Sequence, residues 1–252
     1  IRAMSSSKKK TTLQRISTIL KFVVTFSGLA YLFNKIPISN VLENWQKETC
    51  PWMAFILLLT IILMAIQANR WRGLLLNEGK KIKFRTFYSY IALGYFFNNL
   101  LPSGFGGDAV KTIAFGKRFG NTANSVAAII ISRVMGLLAM FLSFFIAIPF
   151  VISKYNIPLP YTITVSIVTL LAVLIIFAGL FSDKIKIPDK LSQKIPFLLK
   201  LQQAFAIYRK HPKAFWKSGI DSIILQVVTI IIHYAYFKAV GINIDLATIT
   251  VF

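Results

Sequence analysis

The chain alternates between long apolar segments and short polar segments that are rich in lysine and arginine. Five of the apolar segments reach about 18 residues or more, the length that a helix needs to cross the hydrocarbon core of a bilayer. These predicted spans are residues 16–33, 52–69, 123–150, 161–181 and 219–237. The pattern predicts an all-α, polytopic transmembrane protein.

A further apolar stretch, residues 86–118, differs from these spans because polar residues, a proline and several glycines interrupt it. The interruption contains Asn98, Asn99, Pro102, Gly104, Gly106, Gly107 and Asp108. Proline fixes φ and lacks an N–H donor, and glycine permits conformations closed to other residues, so two short helices joined by an irregular turn are predicted. Irregular backbone persists at membrane depth only where protein covers it or where it lines a wet cavity. We therefore predict a re-entrant helical hairpin that forms a polar site.

The distribution of lysine and arginine orients the predicted spans. Residues 5–12 carry three lysines, and residues 183–217 carry nine Lys and Arg against two Asp. The positive-inside rule places both regions in the cytoplasm, so the N-terminus is predicted to be cytoplasmic. If residues 86–101 crossed the bilayer fully, Lys117 and Arg118 would lie outside, against this rule. A re-entrant path returns both cations to the cytoplasmic face.

The chain is predicted to form one domain. Residues 1–12 are interpreted as a tag remnant followed by a cytoplasmic tail, and residues 13–252 as a single transmembrane domain. A signal peptide is the alternative for the first span, but the apolar run is longer than a usual signal core and no small-residue cleavage site follows Phe33, which favours an uncleaved span. Within the basic segment 183–217, apolar residues recur with helical spacing over 195–208, so an amphipathic helix along the headgroups is predicted.

Composition narrows the possible partners. Hydrophobic residues make up 56% of the chain, and 29 Lys and Arg against 8 Asp and Glu give a net charge of +21. A soluble chain this basic would indicate nucleic acid, but these cations cluster between apolar runs, so we expect no nucleic-acid partner and contact with anionic lipid instead. Cys50 is the only cysteine, and His211 and His233 lack the spacing of metal ligands. We expect no metal and no other cofactor.

The segments that follow the second and the last predicted span resemble each other weakly. Each passes through a cation and a glycine, Arg72 and Gly79 in the first and Lys238 and Gly241 in the second, into alternating apolar and polar residues. The first segment lies on the predicted cytoplasmic face and the second on the outer face. Two similar units inserted in opposite senses form the inverted repeats of many transporters. A second hairpin is predicted to begin within residues 244–252, so the sequence contains only the start of that repeat.

Charged residues at membrane depth are candidates for a binding site, because a charge there needs a partner or water. Arg133 lies well inside its predicted helix, and two roles are open: paired hydrogen bonds to a lipid phosphate, or a salt bridge to Asp108. Asp108 stands at the start of the second half-helix, where a carboxylate can cap free N–H groups. Lys111 can pair with Asp108 at i,i+3 or reach a headgroup.

The turn between the two half-helices completes the predicted site. Free N–H groups after Gly106 and Gly107 would suit a phosphate, while Asn98 and Asn99 either cap their helix or contact the substrate. The predicted lipid-binding residues are Arg133, Lys111, Asp108, Asn98, Asn99, Gly104, Gly106 and Gly107, with Pro102 in a structural role. No catalytic residue is predicted.

The segments NNLLPSGFGGDAVK (98–111) and SVAAIIISRVMGLLAMFL (125–142) resemble the lysylphosphatidylglycerol synthase transmembrane-region family, also called flippase-like membrane proteins. That family usually places an acidic residue just before the arginine of the second segment and another a few positions later, where this chain has Ser132 and Gly136. The resemblance implies the lipid-handling membrane part, which moves or presents a phospholipid or a polyprenyl-phosphate carrier. Nothing in the chain resembles the soluble synthase domain of some members.

These observations favour binding and translocation of an anionic lipid in a cell membrane, with membrane lipids as partners and homo-oligomerisation left open. One alternative is a membrane-embedded transferase that modifies lipid headgroups, for which Asp108 and His233 are the intramembrane candidates. Another is an accessory subunit for a separately encoded synthase. Because no segment resembles the synthase domain, transport is favoured over enzymatic activity.

Overall fold

The computed structural model is all-helical in the part of the chain that it describes, as predicted. The described residues are 23, 26–28, 30, 31, 33–35, 49–76, 81–100, 106–119, 122–155, 159–180, 202, 203 and 206–251. The main helices within them are, in chain order, α1 (Thr49–Leu74), α2 (Phe84–Leu100), α3 (Gly106–Phe119), α4 (Thr122–Tyr155), α5 (Leu159–Leu180), α6 (Pro212–Ala239) and α7 (Leu246–Val251).

Three helices among the described residues are long and apolar enough to cross a membrane: Thr49–Leu74, Asn124–Tyr155 and Pro212–Ala239. They confirm the second, third and fifth predicted spans. The fourth predicted span corresponds to α5, a helix of 22 residues. Most residues of the first predicted span, of the amphipathic helix and of the basic segment 183–217 lie outside the described residues.

Large apolar side chains are exposed along these helices. Leu57 on α1 is 63% exposed, Phe150 on α4 67% and Val168 on α5 62%. In water, such extended apolar surfaces would drive association, whereas the hydrocarbon core of a bilayer accommodates them without cost. The exposed apolar faces therefore mark the sides of the helices that contact lipid.

Helices α1 and α6 pack against each other in antiparallel orientation. Three contacts join the helices along their length: the Thr49 hydroxyl donates to the Ala239 carbonyl at 2.8 Å, the Trp52 and Tyr234 rings lie 6.4 Å apart, and Arg70 Nη1 donates to the Ser222 hydroxyl at 2.6 Å. Interhelical hydrogen bonds of this kind satisfy polar groups that lipid cannot. The two spans therefore run in opposite directions, which agrees with the orientation predicted from the charges.

Two boundaries differ from the predicted ones. Helix α6 begins at Pro212, so residues 212–217 belong to the helix and not to the predicted loop. Proline is favoured in the first helical turn because its missing N–H would have no partner there. Helix α4 continues through Pro149 to Tyr155, five residues beyond the predicted end of this span at residue 150. A proline removes one intrahelical hydrogen bond, and the extra turn holds Lys154 in an ion pair with Asp245.

The helical residues fall into two compact units. The first contains Ile1–Trp45 and Ala92–Lys111, and the second contains Gln46–Ile91 and Thr112–Phe252. The first unit includes the end of α2 and the start of α3. The second unit includes the antiparallel pair α1 and α6 together with α4, α5 and α7.

Candidate functional site

The predicted interrupted segment consists of two short helices. Helix α2 has 17 residues and α3 has 14, which correspond to about 26 Å and 21 Å at 1.5 Å per residue. The hydrocarbon core of a bilayer is about 30 Å thick, so neither helix is long enough to cross it along the membrane normal. The break between the helices is confirmed, while Pro102 and Gly104 lie outside the described residues.

The end of α2 and the start of α3 approach each other closely. A Cβ added at Gly107 would overlap the carbonyl oxygen of Gly94, and a Cβ added at Gly94 would lie 3.1 Å from Cδ of Lys111. Glycine at both positions allows the two backbones to touch, as small residues do between membrane helices. Gly94 was missed from the sequence, although it lies one helical turn before Asn98 and therefore on the same face of α2.

Asn98 caps the second helix of the pair. The Gly107 N–H donates to Asn98 Oδ1 at 2.7 Å. One of the two roles predicted for Asn98 was to cap its own helix, α2. In the structure its amide oxygen instead accepts a hydrogen bond from the N-terminus of α3. The first four N–H groups of a helix lack intrahelical acceptors, so this bond satisfies one of them. Asn99 is exposed at the end of α2.

Asp108 and Lys111 form an ion pair one turn apart on α3. Lys111 Nζ lies 2.5 Å from Asp108 Oδ1, and the two side chains are only 13% and 19% exposed, respectively. This confirms the i,i+3 pairing that was one of the two roles predicted for Lys111. Asp108 also lies in the first turn of α3, where a negative charge complements the helix dipole. The pair holds opposite charges beside the glycine contact and the Asn98 cap.

Arg133 lies on α4 in the second compact unit and is half-buried. Its two predicted roles, hydrogen bonds to a lipid phosphate and a salt bridge to Asp108, remain predictions. One turn further along α4, a Cβ added at Gly136 would meet nothing within 4 Å. A side chain at that position of α4 would therefore meet open space.

The bases of α2 and α3 are fixed by a cluster of aromatic rings. Trp71, Phe87 and Phe115 are 2%, 0% and 1% exposed, and their ring centroids lie between 4.9 and 5.5 Å apart. Tilted and edge-to-face rings at such distances stabilise packing beyond their buried area. Phe87 therefore has a packing role.

Other polar residues of α6 have local partners. His233 Nδ1 lies 2.7 Å from the Thr229 carbonyl oxygen, and Lys217 Nζ lies 3.1 Å from Asp221 Oδ2. The metal-ligating residue types form no cluster of three or more that could hold a metal ion within the described ranges. His233 and Asp221 are thus engaged in bonds along their own helix.

A second concave site, absent from the predictions, lies where α1 ends and α6 begins. This cavity has a volume of about 850 Å³. Its described lining residues are Asn69, Arg72, Gly73, Leu75, Leu76, Asn124, Lys210, His211, Pro212, Lys213, Ala214 and Lys217. Five of them have basic side chains and none is acidic. In the sequence these cations belong to two segments that are far apart. The antiparallel packing of α1 with α6 brings them together.

Apolar helices of membrane-spanning length, exposed apolar faces and interhelical hydrogen bonds define an α-helical integral membrane protein. The chain matches the family described as the lysylphosphatidylglycerol synthase TM region over residues 18–252 and belongs to this family. The resemblance seen at residues 98–111 and 125–142 is therefore confirmed. No curated protein and no solved structure was found to match the chain.

Proposed function

We propose that the protein binds the anionic headgroup of a membrane lipid at the hairpin formed by α2 and α3, and that it carries the lipid between leaflets. The family description links the chain to lysylphosphatidylglycerol synthesis and hence to lipid. The observation that carries the proposal is the largely buried pair Asp108–Lys111 at the start of α3, beside the close backbone contact of Gly94 with Gly107. Charged groups within membrane helices are costly and usually line a pathway or a binding site.

The proposed path of the hairpin is re-entrant. Lys83 and Arg85 precede α2 or lie in its first turn, while Lys117 and Arg118 lie in the last turn of α3. The positive-inside rule favours all four cations on the cytoplasmic face. Two helices of about 26 Å and 21 Å satisfy this rule if both dip into the bilayer and the chain returns to the side that it left.

The arrangement of α6 and α7 supports an inverted repeat. Helix α2 follows the end of α1, and α7 follows the end of its antiparallel partner α6. The start of α7 is capped by Asp245, whose Oδ1 accepts from the Thr248 N–H at 2.9 Å. In this arrangement α7 is the first turn of a second hairpin that enters from the opposite face, as in transporters built from two inverted halves.

Headgroup recognition in this proposal uses two kinds of donor at the start of α3. Backbone N–H groups of its first turn and the ammonium of Lys111 bind phosphate oxygens, with Lys111 exchanging Asp108 for the phosphate. A role for Arg133 on α4 is proposed separately from this site, because a planar guanidinium is suited to paired hydrogen bonds with a phosphate. The acyl chains remain against the exposed apolar faces of the helices, so only the headgroup enters the polar site.

Transport is tested with the purified full chain in liposomes that contain fluorescent phosphatidylglycerol, using dithionite to bleach label in the outer leaflet. We expect Lys111→Gln to slow transfer at least about tenfold, because charge-assisted hydrogen bonds contribute about 1.5–3 kcal/mol. Lys117→Gln, an exposed cation on the same helix, is the matched control and should transport normally. We expect Arg133→Ala to abolish transfer.

The double variant Asp108→Asn/Lys111→Gln distinguishes binding of the headgroup by Lys111 from a purely structural ion pair between Lys111 and Asp108. If the ion pair only stabilises the fold, removal of both charges should restore transport; if Lys111 binds the headgroup, the double variant should remain slow. Normal transport by Lys111→Gln and Arg133→Ala would contradict the proposal. Formation of an aminoacyl lipid by detergent-solubilised protein, where no leaflets exist, would favour the transferase instead.

A further inference from the structure

We infer that the basic cavity between the end of α1 and the start of α6 is a second lipid site, which binds the phosphate of an anionic headgroup. Its residues are distinct from those of the hairpin site, and the inference does not depend on translocation. The cavity belongs wholly to the second compact unit. Its volume of about 850 Å³ is that of a small-molecule site and can hold a lipid headgroup.

A buried tyrosine fixes the walls of this cavity. The Tyr208 hydroxyl donates to the carbonyl oxygen of Leu74 at 2.5 Å, and the side chain is 2% exposed. Leu74 is the last residue of α1, so the bond satisfies one of the carbonyls that a helix end leaves open. Burial raises the pKa of Tyr208, which keeps the hydroxyl protonated as a donor at neutral pH. The segment that leads into α6 is thereby held against the end of α1.

Among the described residues that line the cavity, all charged side chains are basic. Arg72 comes from α1, Lys210 and His211 precede α6, and Lys213 and Lys217 lie in its first two turns. Asp221, one turn after the cavity residues of α6, forms an ion pair with Lys217. Like charges that line a concave surface focus the field and attract anions. Arg72 adds a guanidinium, whose fork of donors matches a phosphate.

The backbone of α6 adds to this positive potential. His211 occupies the N-cap position without a side-chain hydrogen bond to the helix, and Pro212 begins the helix. Pro212, Lys213 and Ala214 also line the cavity, so the positive end of a 28-residue helix borders it. Basic side chains and a helix N-terminus therefore converge on one cavity.

The surroundings indicate a lipid and not a soluble phosphate compound. Leu75 and Leu76 supply apolar lining, and Trp216, which is 70% exposed, lies between cavity residues Ala214 and Lys217 in sequence. Exposed tryptophan at the end of a span is typical of the interface between hydrocarbon and headgroups. Clusters of cations at that depth bind anionic lipid headgroups. A phosphodiester with acyl chains fits both the polar and the apolar lining.

The test reconstitutes the full chain in nanodiscs of equal parts phosphatidylglycerol and phosphatidylcholine and measures lipid retained after ejection by native mass spectrometry. The variant R72Q/K210Q/K213Q removes three cavity cations, and K81Q/K83Q/R85Q removes three exposed cations from the loop before α2 and its first turn. We expect the cavity variant to lower preference for phosphatidylglycerol at least about tenfold and the control to leave it nearly unchanged. R72K/K210R/K213R, which keeps the charges, should retain most of the preference.

Several outcomes would overturn the inference. Equal losses in the cavity variant and its control would mean that only net charge matters, and unchanged retention would mean that no site exists. Competition by inorganic phosphate or glycerol 3-phosphate at millimolar concentration would reassign the cavity to a soluble ligand. If the triple variant does not fold, Lys213→Gln alone, at an exposed position, must still lower the preference. The cavity variant is also measured in the liposome assay, because this inference requires a lost preference for phosphatidylglycerol and not a lost transfer; the two readouts separate this result from failure of the proposed transport.

Discussion

The tip of the hairpin, meaning the contact region of Gly94, Asn98 and residues 107–111, differs from the basic cavity in how its charges are paired and buried. At the tip, Asp108 and Lys111 are paired and mostly buried, and the backbone is fixed by contact between two glycines. In the cavity, the lysines are exposed, and Lys210 and Lys213 lie beside other cations. Under the two proposals, the tip would select its ligand by fixed geometry in a low-dielectric site, and the cavity would select by summed charge near water. Substitutions that change shape should therefore damage the tip far more than the cavity.

The largest expected effect comes from Gly107→Ala. The added methyl would overlap the carbonyl oxygen of Gly94 and lie 2.6 Å from Asn98 Oδ1, so α2 and α3 must separate. We expect a loss of about 3 kcal/mol in the free energy of unfolding together with loss of transport. Thermal unfolding in detergent and the liposome assay measure the two effects.

Gly136→Ala is the matched control for this change, because its added methyl meets nothing within 4 Å. We expect its stability to be unchanged or raised by up to about 1 kcal/mol, the usual gain of alanine over glycine within a helix. Equal destabilisation by both substitutions would show that the close contact of Gly94 with Gly107 is not the cause.

Gly107 and its contact partner Gly94 also illustrate what the sequence could predict. The breaks at Asn98, Pro102 and Gly107 were visible because those residue types have local conformational preferences. Gly94 was missed because a glycine inside an apolar helix reveals its partner only after the two helices meet. The spans within α1, α4 and α6 were predictable from apolar length alone, since burial in lipid depends on composition more than on packing.

Features that depend on tertiary pairing escaped prediction. The basic cavity needs Arg72 and Lys213 to meet, and these residues are far apart in sequence until α1 and α6 pack in antiparallel orientation. Helix α4 also continues beyond Pro149 to Tyr155, and its last turn carries the ion pair of Lys154 with Asp245, a contact between distant residues that the local sequence does not reveal.

A smaller effect is expected at the Asn98 cap. Asn98→Ala removes the acceptor of the Gly107 N–H, and loss of such a cap costs about 1 kcal/mol. Asn99→Ala, its exposed neighbour, should change the free energy of unfolding by less than about 0.5 kcal/mol. Equal values for the two variants, measured by thermal unfolding, would argue against a specific role for Asn98 at the tip.

The smallest effect is expected at the connection between α6 and α7. Hydrogen bonds from the Lys154 ammonium and the Thr248 N–H lower the pKa of Asp245 below its usual range. A lowered pKa in the folded state stabilises the protein above the ordinary Asp pKa of about 3.9, and this contribution is lost as the pH falls below that value. The protection factors of the α7 amides, which correct exchange rates for the intrinsic effect of pH, should therefore fall at low pH. Asp245→Asn should lower them already at neutral pH and make them less dependent on pH; an unchanged pH profile in this variant would contradict a role for the Asp245 charge.

The path of the hairpin is tested most directly by the accessibility of single cysteines on either side of it. In a Cys50→Ser background, Lys83→Cys and Lys117→Cys are treated with a membrane-impermeant maleimide in sealed inside-out and right-side-out vesicles. We predict that both positions react from the same face, because α2 and α3 together enter and leave the bilayer on one side. Reaction from opposite faces would contradict the re-entrant hairpin and remove the polar site on which transport depends.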